Sequence, residues 1–528
     1  MAAVAHGLAG RAYAHPSFRV SFAHVRGRPD KIALVFSDQP VSYADLAEEV
    51  RRLAAGLTGL GVGRGSRVLV LLKNCRAFAA LMLAAAERGA VIVPVSAGLR
   101  GEALVTAFTA TECQFVVGHG PLLAPFAGLV EAGKCVSVDG AAPGCCLYDE
   151  LLVQAADDYA LGQGDDGDDL PYILTMTSGS TGAPKPIIFS QATKIARAQS
   201  AVDCYGLTAN DVVLAATPLY HSLAQRLVLM PLMFGMSAVV LEPFTPAGWM
   251  AAVERWRVSF TIPVSSQLSA LLPHFLAEPA RLASLRVLVS SSAQIAEDLK
   301  RRLAALLACQ FHEIYGASEV GVISNLSPDH PAGKMASVGL PLAGIDLRIL
   351  GDDGAVLPVG EIGEIACRTP TAFLGYYNRP DATVAAWCDG YFRTGDLGWV
   401  DADGFLYFSG RKKDLVISGG INIYPIDIER VLMGTGLLAD CAAIGLPDSY
   451  LGEAVLAVVV PKEAAGFDLR PLRRACVEQL ADYQQPLDFA VVTALPKNAL
   501  GKTVKPELQE RFKGKDLSAR LRGLLGLS

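Results

Sequence analysis

The stretch TMTSGSTGAPKPI, residues 175–187, sets six hydroxyl or glycine residues in a row (Thr177, Ser178, Gly179, Ser180, Thr181, Gly182) and follows them with Lys185. Glycines let a backbone turn its N–H groups toward an anion, and hydroxyls add donors, so the run suits phosphate. It is not a P-loop. The motif GxxxxGK[ST] spaces its glycines more widely; here Gly179 and Gly182 are three apart and Pro184 precedes the lysine. A second candidate, Gly501-Lys502-Thr503, fails the same test because Pro496 stands where the first glycine belongs. Further along come YGASE (315–319), GYFRTGD (390–396), GRKKD (410–414), SGGINIYP (418–425) and PKNALGK (496–502). Each is a weak signal alone.

The phosphate-type run lies between two apolar strand-like segments, PYILTM and PIIF, so it reads as a tight strand-to-strand connection. Around it, short apolar runs alternate with helical stretches. KIALVF precedes a helix over 43–60, SRVLVLL precedes a helix over 77–88, and AVIVPVS, VVLAATP, SAVVLEP, SFTIPVS and LRVLVSS follow. That alternation predicts an α/β architecture, sheets covered by helices on both faces, with ligands at the carboxyl ends of the strands. After about residue 335 the texture changes to short strands and turns, with a hairpin turn at 401–404. From residue 415 a small α+β unit is expected, which puts a boundary at 411–414: a large domain over 1–413 and a smaller one over 414–528.

A chain of 528 residues with 52% apolar and 19% charged residues is globular and divides into domains. A net charge of −6 without a basic block argues against a nucleic-acid partner. The apolar run over 77–86 is far short of the roughly 20 residues a bilayer needs. The first residues lack the pattern of a signal peptide, and the eleven cysteines are scattered with no CxxC pair. Both point to a cytoplasmic protein with reduced thiols.

Taken together, in this order and at these separations, the quoted stretches resemble the adenylate-forming superfamily: acyl- and aryl-CoA synthetases, adenylation domains of peptide synthetases and beetle luciferases. The resemblance spans roughly residues 25–510. It implies a large helix-covered domain with a small β-barrel-like part, then a mobile α+β domain. It also implies joining of a carboxylate to the α-phosphate of ATP with loss of pyrophosphate, then transfer to a thiol, with Mg2+ and CoA taking part. By that resemblance Thr177 to Gly182 and Lys185 wrap the outgoing phosphates, Glu319 holds Mg2+, and the Ser318 hydroxyl reaches phosphate. Tyr315 and Gly316 lie against adenine, with Ser292 and Ala293 on the other side and Glu313 accepting from the amino group. Asp396 takes the ribose hydroxyls, assisted by Arg411. Lys502 attends the reacting phosphorus, where one cation supplies about 3–5 kcal/mol. Lys413 occupies the hinge, Ser418, Gly419 and Gly420 line a tunnel for the pantetheine arm, and His221 gates that tunnel.

The acid pocket, placed by position, involves His221, Ser222, Ser265, Ser290, Gly316 and Gly321, with the two glycines leaving room for a ring or chain. No early aspartate marks an α-amino acid site, so an aryl, alicyclic or medium-length acyl carboxylate is expected. Arg226, one turn past His221, stands where it could meet a second acid group. Three departures from the family pattern stand out: Pro186 after Lys185, Ser291 in Ser290-Ser291-Ser292, and Gln484-Gln485 where CoA-forming members carry cations. The last keeps a phosphopantetheinylated carrier protein open as the acceptor beside CoA. A nucleotide-binding protein without turnover is the reading from another class. Either a monomer or a homodimer fits.

Overall fold

A computed structural model describes residues 27–131, 133–153, 161, 170–177, 185–292, 295, 297–448, 451–498 and 501–517. The readings made on Ser178 to Gly182, on Ala293 and on the first residues of the chain lie outside these.

Two large sheets form the body. One has nine strands, with Phe260–Thr261, Val212–Ala215, Ser237–Val240 and Val287–Ser290 parallel near its centre and antiparallel strands at both edges. The other has eight, built around the parallel strands Arg67–Leu71, Val91–Pro94 and Phe115–Gly118. The strands are apolar on both faces, and the packing shows why. In Ile32–Phe36, Leu34 and Phe36 enter the core between the sheets, whereas Val35 enters the core on the outer side. Val68 and Val70 likewise face inward while Leu69 and Leu71 face out. A strand alternates its side chains between faces, so helices on both sides demand apolar residues at every position.

The helices Tyr43–Gly59, Arg76–Arg88, Gln191–Tyr205 and Ser222–Met233 contribute to the core between the sheets. Their ends are set locally. Ser42 and Ser190 accept from backbone N–H groups at the starts of the first and third. Gly89 closes the second in the left-handed region, at φ 62°. Among the described residues no helix is long and apolar enough to cross a membrane, and all eleven cysteines are free.

The barrel-like part is a five-stranded antiparallel sheet that includes Asp346–Leu350, Gly363–Arg368, Tyr391–Val400 and Leu406–Arg411. Its 401–404 turn is closed by Gly404 N–H donating to the Asp401 carbonyl. A one-turn helix, Lys412–Asp414, leads into the last unit. There Gly452–Pro461 pairs antiparallel with Leu438–Asp448 and parallel with Asp488–Val491. Helices Pro425–Gly434, Arg470–Gln479 and Lys505–Arg511 complete this α+β unit.

Candidate active site

The flanks of the phosphate-type run form a hairpin. Pro171–Thr177 pairs antiparallel with Lys185–Ser190, and Thr177 lies opposite Lys185. The next partner of Lys185–Ser190 is the short strand Gly375–Tyr376, which brings in a residue the motifs did not flag. The Tyr376 hydroxyl donates to Glu319 Oε1 at 2.9 Å, and Lys185 Nζ stands 5.6 Å from the centre of the Tyr376 ring. Tyr376 therefore bridges the loop lysine and the acid of YGASE. A second unflagged residue, Arg197, donates to the carbonyls of Ser318, Glu319 and Thr371 at 2.8–3.0 Å. It fixes the turn that carries Ser318 and Glu319.

Glu319 offers hard oxygens, and among the described residues no group of three or more acids, histidines or cysteines is arranged to hold a metal. One carboxylate suits Mg2+, which keeps several waters and binds together with nucleotide phosphates. It does not make a resident metal site.

Tyr315 is buried on Gln310–Ala317. Its hydroxyl donates to Asp396 Oδ2 at 2.9 Å and to Thr394 Oγ1 at 3.3 Å. Asp396 lies directly across the strand pair from Arg411, whose Nε is 3.5 Å from Asp396 Oδ1. Burial raises the Asp396 carboxyl above the ordinary aspartate value, against the pull of Arg411, Tyr315 and Lys502.

Lys502 arrives from the far end of the chain. Its backbone N–H donates to Asn498 Oδ1 at 3.0 Å, and the side chain is buried where both Arg411 and Asp396 act on it. Burial first, then Arg411, lowers its ammonium to about 8 while Asp396 opposes. The loop docks tightly. Gly501 has φ +75°, and a Cβ there would fall 2.3 Å from Ser266 Oγ. Only glycine permits both the turn and the approach.

His221 caps the helix Ser222–Met233, with its ring 4.2 Å from that of Tyr220. Its Nε2 is buried without a hydrogen-bond partner, and burial lowers the imidazole to about 4. It is a neutral ring at physiological pH. Ser222 Oγ accepts from Lys194 at 3.3 Å, and Ser265 Oγ donates to the Ser291 carbonyl at 3.1 Å. Ser290 is fully buried with an unpartnered hydroxyl. Ser292 adopts φ 81°, a region costly for any residue with a side chain.

One expectation needs correction. Glu313 was expected to accept from an adenine amino group, yet its carboxylate is 2% exposed and taken by Lys300, with Ile295 N–H donating at 3.2 Å. A buried anion needs a cation, and the fully buried Lys300 supplies it. Gly316 and Gly321, expected to leave room for substrate, have a second reason to be glycine. They face each other across the turn, where a Cβ on Gly316 would fall 2.0 Å from the Gly321 carbonyl oxygen, and Gly321 has φ +83°.

In the last unit, Ser418, Gly419 and Gly420 form the tip of the hairpin between Val416–Ser418 and Ile421–Ile423. Gly419 and Gly420, at φ 57° and 80°, supply the two positive φ values of such a turn. Lys413 is exposed within the one-turn helix. Gln484 and Gln485 bond locally, to Ala481 N–H and to Asp482.

The chain is similar to indoleacetate–CoA ligase from Aromatoleum aromaticum, 32% identical over 92% of this chain and 96% of the relative. It is 34% identical to feruloyl-CoA synthase from an Amycolatopsis species, over 92% and 97% of the two chains. Its fold matches o-succinylbenzoate CoA synthetase from Bacillus subtilis, solved with an acyl-adenylate intermediate, at TM-score 0.85 and 27% identity over 95% of this chain and 99% of that one. The same enzyme is known with ATP and a magnesium ion. The pattern of the AMP-binding enzyme family covers residues 21–377, and that of the AMP-binding enzyme C-terminal domain covers 427–502. With Lys502 of the second region seated beside Asp396 and Arg411, and both patterns present in order, the chain belongs to the AMP-binding enzyme family and is an AMP-forming acid–thiol ligase.

Proposed function

We propose that this enzyme joins a carboxylic acid to AMP at the expense of ATP, releasing pyrophosphate, and then passes the acyl group to the thiol of CoA. The observation that carries the reading is Lys502, a cation brought from the end of the chain into a buried place beside Asp396 and Arg411. A protein that merely bound nucleotide would not need that delivery.

The chain's own groups divide the work. Lys185 and the run over 177–182 hold the outgoing phosphates. Glu319, oriented by Tyr376, holds the nucleotide-bound Mg2+, which neutralises phosphate charge when present. Tyr315 offers its ring to adenine, and Asp396 with Arg411 orients the ribose. Lys502 donates to the α-phosphate as negative charge builds there, in a site dry enough for that charge interaction to be strong. His221, neutral and at a helix start, separates the acid pocket from the thiol path.

The second half-reaction requires the residues around 418–420 to face the site. We assign the hinge to Lys413, with 1–413 and 414–528 turning as two bodies about it. CoA is favoured over a carrier protein because the relatives named above are CoA ligases. ATP–pyrophosphate exchange over a panel of carboxylic acids, followed by trapping of acyl-CoA, tests the reading. Exchange with α-amino acids alone, or thioester formed only on a phosphopantetheinylated carrier, would replace it.

A further inference from the structure

Inside the large domain three basic side chains lie together with little anion to match them. Lys194 and Arg197 stand three residues apart on Gln191–Tyr205, and so share a face. Arg226 comes from the neighbouring helix Ser222–Met233. Lys194 donates to Gln225 Oε1 at 2.8 Å and to Ser222 Oγ, and Arg197 is spent on three backbone carbonyls. Both also lie over the Phe189 ring, at 4.4 and 4.5 Å from its centre. Arg226 differs, because no described residue gives it a hydrogen bond or an ion pair. The groups that favour its charge are only the phenol of Tyr205 and the thiol of Cys204. The one carboxylate that acts on the cluster is Glu319, and it acts on Arg197.

Arg226 is enclosed by protein yet keeps accessible surface, as a side chain facing a cavity does. The cavity is a narrow crevice with enclosed room for no more than a small polar group, and Arg197, Ser200, Tyr205 and Val322 also line it. Its walls share the helix that starts at Ser222 and the strand that starts at Gly321 with the acid pocket. A guanidinium keeps its proton at any physiological pH, and a buried charge without a counter-ion is costly. Here the cost is aggravated, since burial with Arg226 lowers the Arg197 guanidinium to about 9, and burial with both arginines drives the Lys194 ammonium well below its ordinary value. An anion entering the cavity would reverse that balance.

We propose that the acid activated by this enzyme carries a second anionic group, a carboxylate or sulfonate remote from the carboxyl that is adenylated, and that Arg226 binds it as a specificity-determining residue. The proposal rests on the acyl-adenylate reading above. A guanidinium offers two parallel donors to such a group, and Arg197 adds positive potential behind it. The crevice has room for the anionic head group alone, so the spacer of the acid lies outside it.

The test is ATP–pyrophosphate exchange on the full chain with straight-chain dicarboxylates from malonate to suberate and with aromatic dicarboxylates. Each is paired with its monomethyl ester, and hexanoate and benzoate are run alongside. At least one diacid should exceed its monoester in kcat/KM by about 100-fold or more. Arg226→Met should abolish that preference by raising the KM for the diacid while leaving the KM for ATP unchanged, and Arg226→Lys should restore part of it. Monoesters turned over as well as diacids throughout would overturn the proposal, as would a preference unaltered by Arg226→Met. If Arg226→Met fails to fold, the wild-type comparison decides alone. Exchange with hexanoate or benzoate but with no diacid would sink this inference and leave adenylation standing. No exchange with any acid would sink both.

Discussion

Replacing Lys502 with alanine should separate the two half-reactions. In the ligand-free protein the site works against this ammonium: lowering it from the ordinary 10.5 to about 8 corresponds to about 3 kcal/mol against the charged form. The causes are burial and Arg411, with Asp396 giving back only part. Such a position is held for an anion yet to arrive. When the α-phosphate gathers charge in the transition state, the same low-dielectric surroundings strengthen the interaction, and one preorganised cation is worth about 3–5 kcal/mol. Lys502→Ala should therefore slow adenylation by roughly two to more than three orders of magnitude. Pyrophosphate exchange measures that step. Thioester formation from supplied acyl-AMP and CoA, followed by loss of free thiol, should change by less than about threefold, a barrier change under ~1 kcal/mol. The thermal midpoint should not fall, because the substitution removes an ammonium that burial disfavours. Equal loss of both half-reactions, or an unchanged exchange rate, would refute the assignment of this lysine.

The same group sets a pH limb. Adenylation needs the ammonium form, so kcat/KM for ATP should be level below about pH 8 and fall about tenfold per unit above it. Lys502→Arg, which keeps its charge, should flatten that limb even if it is slower. Tyr376→Phe removes the donor to Glu319; a rise in the magnesium required for half-maximal exchange by roughly 5- to 10-fold is expected, a cost of about 1 kcal/mol. Lys300→Met strands the Glu313 carboxylate, which is 2% exposed. It should cost about 3–5 kcal/mol in urea unfolding, much of it recovered by Lys300→Met with Glu313→Leu. A double variant as unstable as the single would remove the pair as the cause.

Local patterns were legible where the physics is local. Strands apolar at every position foretold helices on both faces, and PYILTM and PIIF foretold the hairpin on which Lys185 sits opposite Thr177. The glycines of SGGIN were read only as lining for a pantetheine arm; that they also turn a hairpin, with positive φ at Gly419 and Gly420, came from the structure. The partners of the acids were not. Tyr376 meets Glu319 across 57 residues and Arg197 reaches the Glu319 carbonyl across 122. Neither carries a motif, because tyrosines and arginines have many uses. Gly316 illustrates the same limit. It was read as room for substrate, but the carbonyl 2.0 Å from where its Cβ would be is there only after the chain turns back.

The order and spacing of the short stretches were enough to identify the family and to nominate the reacting groups, because phosphate, magnesium and acyl chemistry restrict which side chains serve. What each charge does depended on tertiary structure. Glu313 and Asp396 are both acids at strand positions, yet one is neutralised by a buried lysine while the other stands open to Arg411 and Lys502. Arg197 and Arg226 are both buried arginines, yet one is satisfied by carbonyls and the other by no described residue. The cost of burying a charge comes from everything that surrounds it after folding, which a residue's neighbours in the chain do not specify.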